Sequence, residues 1–210
     1  MESTTSREII LSKIRKALTH STPLPFPEAE APVDLFNKSP EEDNAVLFAE
    51  KFTSLQGKFI YSPHEISLQE QLRALISKMG WEKIFCNEPF LKELLHNMDI
   101  AISENLDHCD VSFSGCELLV ANTGSIMITT GNGDRTTSVY APIHVTIAFS
   151  SQLVGNLAEA FLMIQKKYGK NVPSFMTVAS GPSRTADIEK TLVTGVHGPK
   201  EVYCFLLEDF

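Results

Sequence analysis

The sequence predicts an α/β fold in three layers, a mixed sheet flanked by helices. Three observations predict it. From about residue 43 to residue 102, stretches with apolar residues at helical spacing alternate with short apolar runs, the pattern of βα units around a largely parallel sheet. From Val111 to Phe149, apolar runs are separated by glycine and polar turns, the texture of hairpin-like pairing and a mixed sheet. The chain has 210 residues, 43% hydrophobic and 21% charged. That is enough to bury a sizeable core in one domain with an N-terminal appendage.

The elements follow in order. Ile9, Ile10, Ile14, Ala17 and Leu18 recur at helical spacing over residues 6–19, with Ser6 placed to cap the helix. Five prolines between His20 and Pro40 make that segment an extended linker, leaving residues 1–19 a tethered amphipathic helix and residues 41–210 the α/β domain. Asp43 to Leu55 reads as a helix through Val46, Leu47, Ala49 and Phe52, stopped by Gly57. A strand at Lys58 to Tyr61, a helix from Glu65 to Met79, a strand at Lys83 to Cys86, a helix from Pro89 to His96 and a strand at Asp99 to Ile102 complete the first half. In the second half, strands are expected at Ile126 to Thr129 and His144 to Phe149. A helix from Gln152 to Tyr168 buries Leu153, Leu157, Ala160, Phe161 and Ile164. Strands at Phe175 to Ala179 and Glu201 to Leu207 close the chain.

Composition excludes several functions. The formal net charge of −8 opposes a polyphosphate backbone, so nucleic acid is not an expected partner. A small anion remains compatible, because a local site can be positive inside an acidic surface. No apolar run approaches the roughly 20 residues that span a bilayer, and the N-terminus lacks a signal-peptide pattern, so the expected location is the cytoplasm. Cys86, Cys109, Cys116 and Cys204 are scattered without a Cys-x-x-Cys pair, which argues for reduced, mostly buried thiols and against a zinc knuckle or an iron–sulfur cluster. There is also no Gly-x-Gly-x-x-Gly after a strand, hence no dinucleotide held in the Rossmann manner. No cofactor is expected in this chain.

The densest local pattern runs from Ser180 to Glu189, after the apolar run Phe175 to Ala179 and before Gly195-Val196-His197-Gly198-Pro199. It reads as a strand, a tight turn and the start of a helix. A Gly-Pro turn that brings Ser180, Gly181, Ser183, Arg184 and Thr185 to a helix N-terminus would combine free backbone N–H groups, the positive end of the dipole and a fixed cation, an anion-binding geometry. Ser183 and Thr185 are equally at home as ordinary N-caps, and Arg184 could pair with Glu189.

The run Ser180 to Glu189, with Gly195 to Pro199 after it, resembles the C-terminal signature of the LUD-domain family and, within it, the lactate utilization protein C group. Further stretches are similar: Thr123-Gly124-Ser125 leading into Ile126-Met127-Ile128, the Gly-rich loop Gly131 to Arg135, the segment Pro142-Ile143-His144-Val145, and the opening amphipathic helix. Two departures stand out, an Asp134 beside Arg135 and Asn122 where relatives carry an acidic residue. The resemblance implies the fold shared by ribose-5-phosphate isomerase, glucosamine-6-phosphate deaminase and the CoA transferases. It also implies a part in the oxidation of L-lactate to pyruvate alongside iron–sulfur partner subunits. Since this chain holds no cluster ligands, its part would be that of a non-redox component binding a small anionic ligand, its partners, or both.

The candidate ligand-binding residues are therefore Thr123, Gly124, Ser125, Arg135, Ser180, Gly181, Ser183, Arg184, Thr185 and His197. Thr123, Gly124 and Ser125 offer N–H and hydroxyl donors, although Thr-Gly is also a common turn. Arg135, in a flexible loop, could clamp a carboxylate or phosphate bidentately or be simply solvated. His197, between glycines, is the candidate for acid–base chemistry, its ordinary pKa lying near physiological pH. His144, inside an apolar strand, reads as a hydrogen-bonded structural histidine. The alternative function is a stand-alone isomerase, hydrolase or acyl-CoA transferase acting on a phosphorylated or CoA-linked substrate. Covalent transfer would need a carboxylate nucleophile in the crevice, and Glu117 is the nearest candidate, in what reads as a helical turn. In open α/β sheets, ligands bind at the carboxyl ends of strands, and the corners at Gly124-Ser125 and Ser180 to Thr185 are expected to flank such a crevice.

Overall fold

The computed structural model describes residues 5–19, 43–130, 136–188 and 191–209. The chain divides into two units, Met1–Leu35 and Phe36–Phe210. In the first, α1 (Ser6–Leu18) begins at a capping box: Thr5 accepts from the Glu8 backbone N–H, and the Glu8 carboxylate accepts from that of Thr5. The cap is Thr5, one residue before the expected Ser6, and Ile10 and Ile14 are exposed. The proline-rich segment 20–40 lies outside the described residues.

The second unit is built on a six-stranded sheet in the order β1-β12-β7-β4-β2-β3. Its strands are β1 (Lys58–Ser62), β2 (Ile84–Cys86), β3 (Ile102–Ser103), β4 (Val111–Ser114), β7 (Ile143–Phe149) and β12 (Glu201–Leu207), and every pairing is parallel. A fully parallel sheet needs cover on both faces. One face receives α3 (Glu65–Met79) and α4 (Pro89–Asn97), whose Leu68, Leu72, Leu91, Leu94 and Leu95 pack on Ile84, Val111, Phe113, Val145, Ile147 and Phe205. His64 caps α3, its Nδ1 accepting from Ser67 N at 3.1 Å, and Gly80 ends the helix in the left-handed region.

The other face carries α2 (Asn44–Ser54) and a second sheet of four strands in the order β8-β5-β6-β9. These are β5 (Leu118–Val120), β6 (Ser125–Thr129), β8 (Leu153–Val154) and β9 (Met176–Ala179). The pairs β5–β6 and β6–β9 are antiparallel, and β5–β8 is parallel. Phe48 and Phe52 of α2 join Leu119, Ile126 and Ile128 against Val202, Cys204 and Leu206 in a core between the two sheets. Outside the second sheet, α6 (Leu157–Tyr168) covers Leu118, Val120 and Met127 with Ala160 and Ile164.

The α/β fold is thus as expected, with its mixed character confined to the second sheet. One boundary and one burial expectation are corrected. Residues 152–156, expected to open the last long helix, instead end a 3-10 turn (Ser150–Gln152) and form the strand β8 and the Asn156 cap, because Leu153 and Val154 pair with β5. Phe161, expected to be buried, is half-exposed. The four cysteines are buried and free. Among the described residues, no helix is long and apolar enough to cross a membrane.

Candidate functional site

The two corners singled out in the sequence meet. Ile126 of β6 lies opposite Ala179 of β9. The preceding Ser125 and the following Ser180 are therefore neighbours, their hydroxyl oxygens 2.6 Å apart. Both corners rest on the C-terminal half of α2. Gly124 has φ +56°, and a Cβ there would collide with the backbone of Lys51 and Phe52; Gly181 has φ +77°, and its Cβ would collide with the Leu55 carbonyl. Only glycine satisfies both demands, the left-handed backbone and the close approach. Thr123 completes its own turn, its Oγ1 donating to Val120 O at 3.5 Å.

After Gly181, the expected helix is a hairpin. β10 (Arg184–Ile188) pairs antiparallel with β11 (Thr191–Thr194), Arg184 opposite Thr194 and Thr185 opposite Val193. The backbone at Ser183 is already committed: its N–H donates to Pro199 O and its carbonyl accepts from Gly195 N, both at 2.9 Å. A helix beginning there would have to give up both bonds. The turn is therefore not a helix N-terminus, and Arg184 meets the end of α2 instead. Its Nη2 donates to Leu55 O at 3.1 Å, placing a cation on a carbonyl that the end of α2 leaves without a helical partner. Thr185 continues into the hairpin.

Beside these corners lies a cleft of about 250 Å³, walled by Ser180, Gly181 and Ser183 of the turn and by His197 and Gly198 of the following loop. Ser138 of α5 (Thr137–Tyr140) and His144 of β7 complete it. Gly198 fits because a Cβ there would press on the Ser183 side chain. The cleft sits at the amino ends of β7 and β12, where Lys200 N donates to Pro142 O at 2.8 Å. The expected crevice was at the carboxyl ends of strands; the cleft beside these corners opens at the amino ends of the large sheet, since the turn and the 195–199 loop run directly into the start of β12.

Of the expected residues, Ser180, Gly181, Ser183 and His197 line the cleft, and Ser125 stands behind Ser180. Thr123, Gly124, Arg184 and Thr185 are outside its lining. Arg135 and the rest of Gly131 to Arg135 lie outside the described residues.

Two buried groups complete the chemistry. His144 is 2% exposed, its Nε2 2.8 Å from Ser114 Oγ on the neighbouring strand, and that hydroxyl donates to Gly115 O at 2.9 Å. Burial pushes the pKa of His144 down to about 4, so the imidazole is neutral near pH 7. Ser138 is 7% exposed and its hydroxyl has no hydrogen-bond partner. Thr146 Oγ1, two residues beyond His144 on the same face of β7, is also buried without a partner. Sequence reasoning missed Ser138 altogether and gave His144 a purely structural place. The signal at hand was a lone histidine in an otherwise apolar strand.

Glu117 is not in a helical turn. It joins β4 to β5 and is 4% exposed, accepting from Lys167 Nζ at 2.6 Å, Tyr168 OH at 2.9 Å and Thr129 Oγ1 at 3.1 Å. These contacts place it beneath α6, and no carboxylate is among the described residues lining the cleft.

A parallel sheet backed by a small mixed sheet, with a hydroxyl- and imidazole-lined cleft between them, defines a layered α/β domain. The chain belongs to the LUD-domain family, whose model matches residues 81–207, a span that includes every cleft residue named above. It is similar to lactate utilization protein C from a Geobacillus species, 28% identical over 168 residues, covering 69% of this chain and 70% of that protein. The protein of the same name from Halalkalibacterium halodurans is 30% identical over 117 residues, covering 54% and 51% of the two chains. That from Shouchella clausii is 32% identical over 144 residues, covering 63% and 62%. In the latter two cases the matched region spans less than two thirds of the relative's length. Among solved structures, a DUF162-family protein from Deinococcus radiodurans superposes with a TM-score of 0.60 at 15% identity, covering 79% of this chain and 99% of that one. That likeness is one of fold.

Proposed function

We propose that this chain serves lactate utilization as a non-redox component that binds a small carboxylate in the cleft between the two sheets, acting with iron–sulfur subunits that carry the electrons. The observation that carries the reading is the Ser138 hydroxyl, buried on the cleft wall without a partner. An unsatisfied buried hydroxyl costs about 1–3 kcal/mol, a cost that a bound ligand oxygen removes. Ser138, Ser180 and Ser183 supply rotatable O–H donors suited to carboxylate oxygens, His197 stands at the mouth, and Arg135 precedes α5 by two residues in the chain. A volume of about 250 Å³ suits a small acid, being below the roughly 300–1,000 Å³ typical of sites that engulf drug-sized molecules. The names of the relatives supply the metabolic setting, and the scattered cysteines supply the reason to assign redox centres to partners.

The alternative of covalent acyl-CoA transfer is less well supported. The carboxylate that chemistry needs is missing from the described lining, and Glu117 is occupied by three donors.

Thermal denaturation with L-lactate, pyruvate or phosphate tests the reading. A ligand present at ten times its Kd stabilises by about 1.4 kcal/mol, which for a chain of this size raises Tm by about 3–6 °C. Lactate is expected to give such a rise in the native chain and a smaller one in Ser138→Ala, Ser183→Ala and Arg135→Ala. No rise with either organic acid, or equal rises in all four proteins, overturns the site. The isolated chain is expected not to oxidise lactate with an added electron acceptor, and co-purification with iron–sulfur proteins tests its place as a subunit. Turnover by the colourless chain alone would refute the non-redox assignment.

A further inference from the structure

We propose that α1 is an interfacial anchor, its apolar stripe lying flat in an anionic lipid surface and its lysines and arginines reaching the negative headgroups. This surface is separate from the cleft, and its failure leaves the small-carboxylate reading in place.

No residue of α1 is buried. At about 100° per residue, Ile10, Leu11, Ile14, Ala17 and Leu18 fall within about 120° of one another around the axis, an unbroken stripe along the helix. Ile10, Ile14 and Leu18 are 58%, 49% and 76% exposed. A helix of 13 residues held only by its own hydrogen bonds is marginal in water, and helices of this kind are stabilised by whatever covers their apolar face.

The charges say what kind of surface that is. Arg7, Lys13, Arg15 and Lys16 face a single acid, Glu8, so four cations less one carboxylate leave +3 over Ser6–Leu18. Glu8 is engaged in the capping box, its carboxylate accepting from Thr5 N at 2.9 Å. Lys13 and Arg15 stand on opposite borders of the stripe, each about 40° beyond its edge. Long basic side chains so placed run their methylenes along an apolar layer and keep their heads in the polar one. Arg7 falls within the arc but in the first turn, where helical side chains lean toward the N-terminus, so it reaches past the end of the stripe. Two copies of α1 meeting through their stripes would set Lys13 and Arg15 against the same cations, which makes a second copy the wrong cover. Protein grooves draw most of their affinity from aromatic or arginine anchors at the centre of the contact, whereas this stripe is aliphatic throughout. A plane that is apolar within and negative above meets the stripe and both its borders at once. The net charge of −8 on the whole chain does not oppose this. Surface attraction and repulsion fade within a Debye length of about 8 Å, and the residues numbered 20–42 can span many times that distance.

Co-sedimentation of the full chain with lipid vesicles is the test. Affinity is expected to be at least about tenfold higher for phosphatidylcholine vesicles containing about one-third phosphatidylserine than for phosphatidylcholine alone. Raising the salt from about 0.1 M to about 0.5 M should release the chain, because the Debye length shortens. Ile10→Gln combined with Ile14→Gln should lower the affinity at least about tenfold. Lys13→Gln should weaken binding more than Lys16→Gln, which removes the same charge from the face opposite the stripe. The substituted side chains are exposed, so the variants should unfold at the native temperature and keep the native protection by lactate. Absence of sedimentation with the anionic vesicles overturns the inference, as do equal binding to neutral ones and equal losses in Lys13→Gln and Lys16→Gln. A dimer that forms without vesicles and is dissolved by the double isoleucine variant also overturns it, assigning the stripe to a second copy.

Discussion

Replacing His144 with glutamine should expose two opposing pH dependences that partly offset each other in the native chain. His144 is held at a pKa of about 4 by burial, against an ordinary 6.5. Its folded-state pKa is lowered, so between these values the unfolded chain binds the extra proton, and stability present above pH 6.5 is lost as the pH falls toward 4. From pH 8 to pH 5 the loss works out at about 2 kcal/mol. Glu88 acts in the other direction. It lies between β2 and α4, and its Oε1 accepts from Gly115 N at 2.9 Å. Burial pushes its pKa up to about 7 from an ordinary 4.5, the Gly115 bond pulling weakly the other way. The folded chain holds this proton more tightly, so stability present below pH 4.5 is lost as the pH rises through 7. Taken at full value, acidification from pH 8 to pH 5 returns about 2.5 kcal/mol, reduced to about 1 kcal/mol because the carboxyl is partly exposed to solvent. Urea unfolding at half-unit steps between pH 5 and pH 8 separates the two. Relative to the native chain, His144→Gln should gain stability toward acid, and Glu88→Gln should lose it more steeply. Differences from the native chain cancel the remaining titrating groups. Parallel curves for the native chain and His144→Gln would refute a neutral, desolvated histidine at the cleft.

Four further outcomes follow from the packing. Gly124→Ala combines a left-handed backbone with a collision against α2; it should cost about 3 kcal/mol or more and lower Tm by about 6 °C or more in differential scanning calorimetry. Glu117→Ala removes the buried acceptor shared by Lys167, Tyr168 and Thr129, for about 2–4 kcal/mol in urea titration. Lys167→Met, changing a half-exposed partner, should cost less. Arg184→Ala removes an exposed bond to Leu55 O and should change stability by no more than about 1 kcal/mol, with little change in lactate protection in the thermal assay.

The parallel half of the fold was legible because its signals are local. α3 runs from Glu65 to Met79, where apolar spacing and Gly80 bound it, and β12 from Glu201 to Leu207, as its apolar run indicates. The corners at residues 124 and 181 were legible for a related reason, since Thr-Gly and Gly-Pro mark tight turns wherever they occur. What followed the second corner was not. Ser183, Arg184 and Thr185 suit a helix start as well as a strand, and the choice is made by Gly195 and Pro199, more than ten residues downstream. Arg184 was misplaced with it, because its partner is a carbonyl on α2, 129 residues away in sequence. His144 was read as structural because alternation along a strand shows that a residue points to one face without showing whether that face is filled, and Ser138 escaped notice because a four-residue helix is too short to leave a periodic signal. The side of the sheet on which a cleft opens depends on where loops return, and here they return to the amino ends.

The last turn of α2 carries consequences of its own. None of its own residues lines the cleft, yet both polypeptide bends at the cleft abut it, one through Gly124, the other through the lining residue Gly181 and the Arg184 guanidinium. Those bends are therefore geared to a common shaft. A displacement of the helix end by a fraction of an ångström would shift them in concert, so substitutions at Phe52 or Leu55 should tune ligand affinity from a distance, as would any partner that grips this helix.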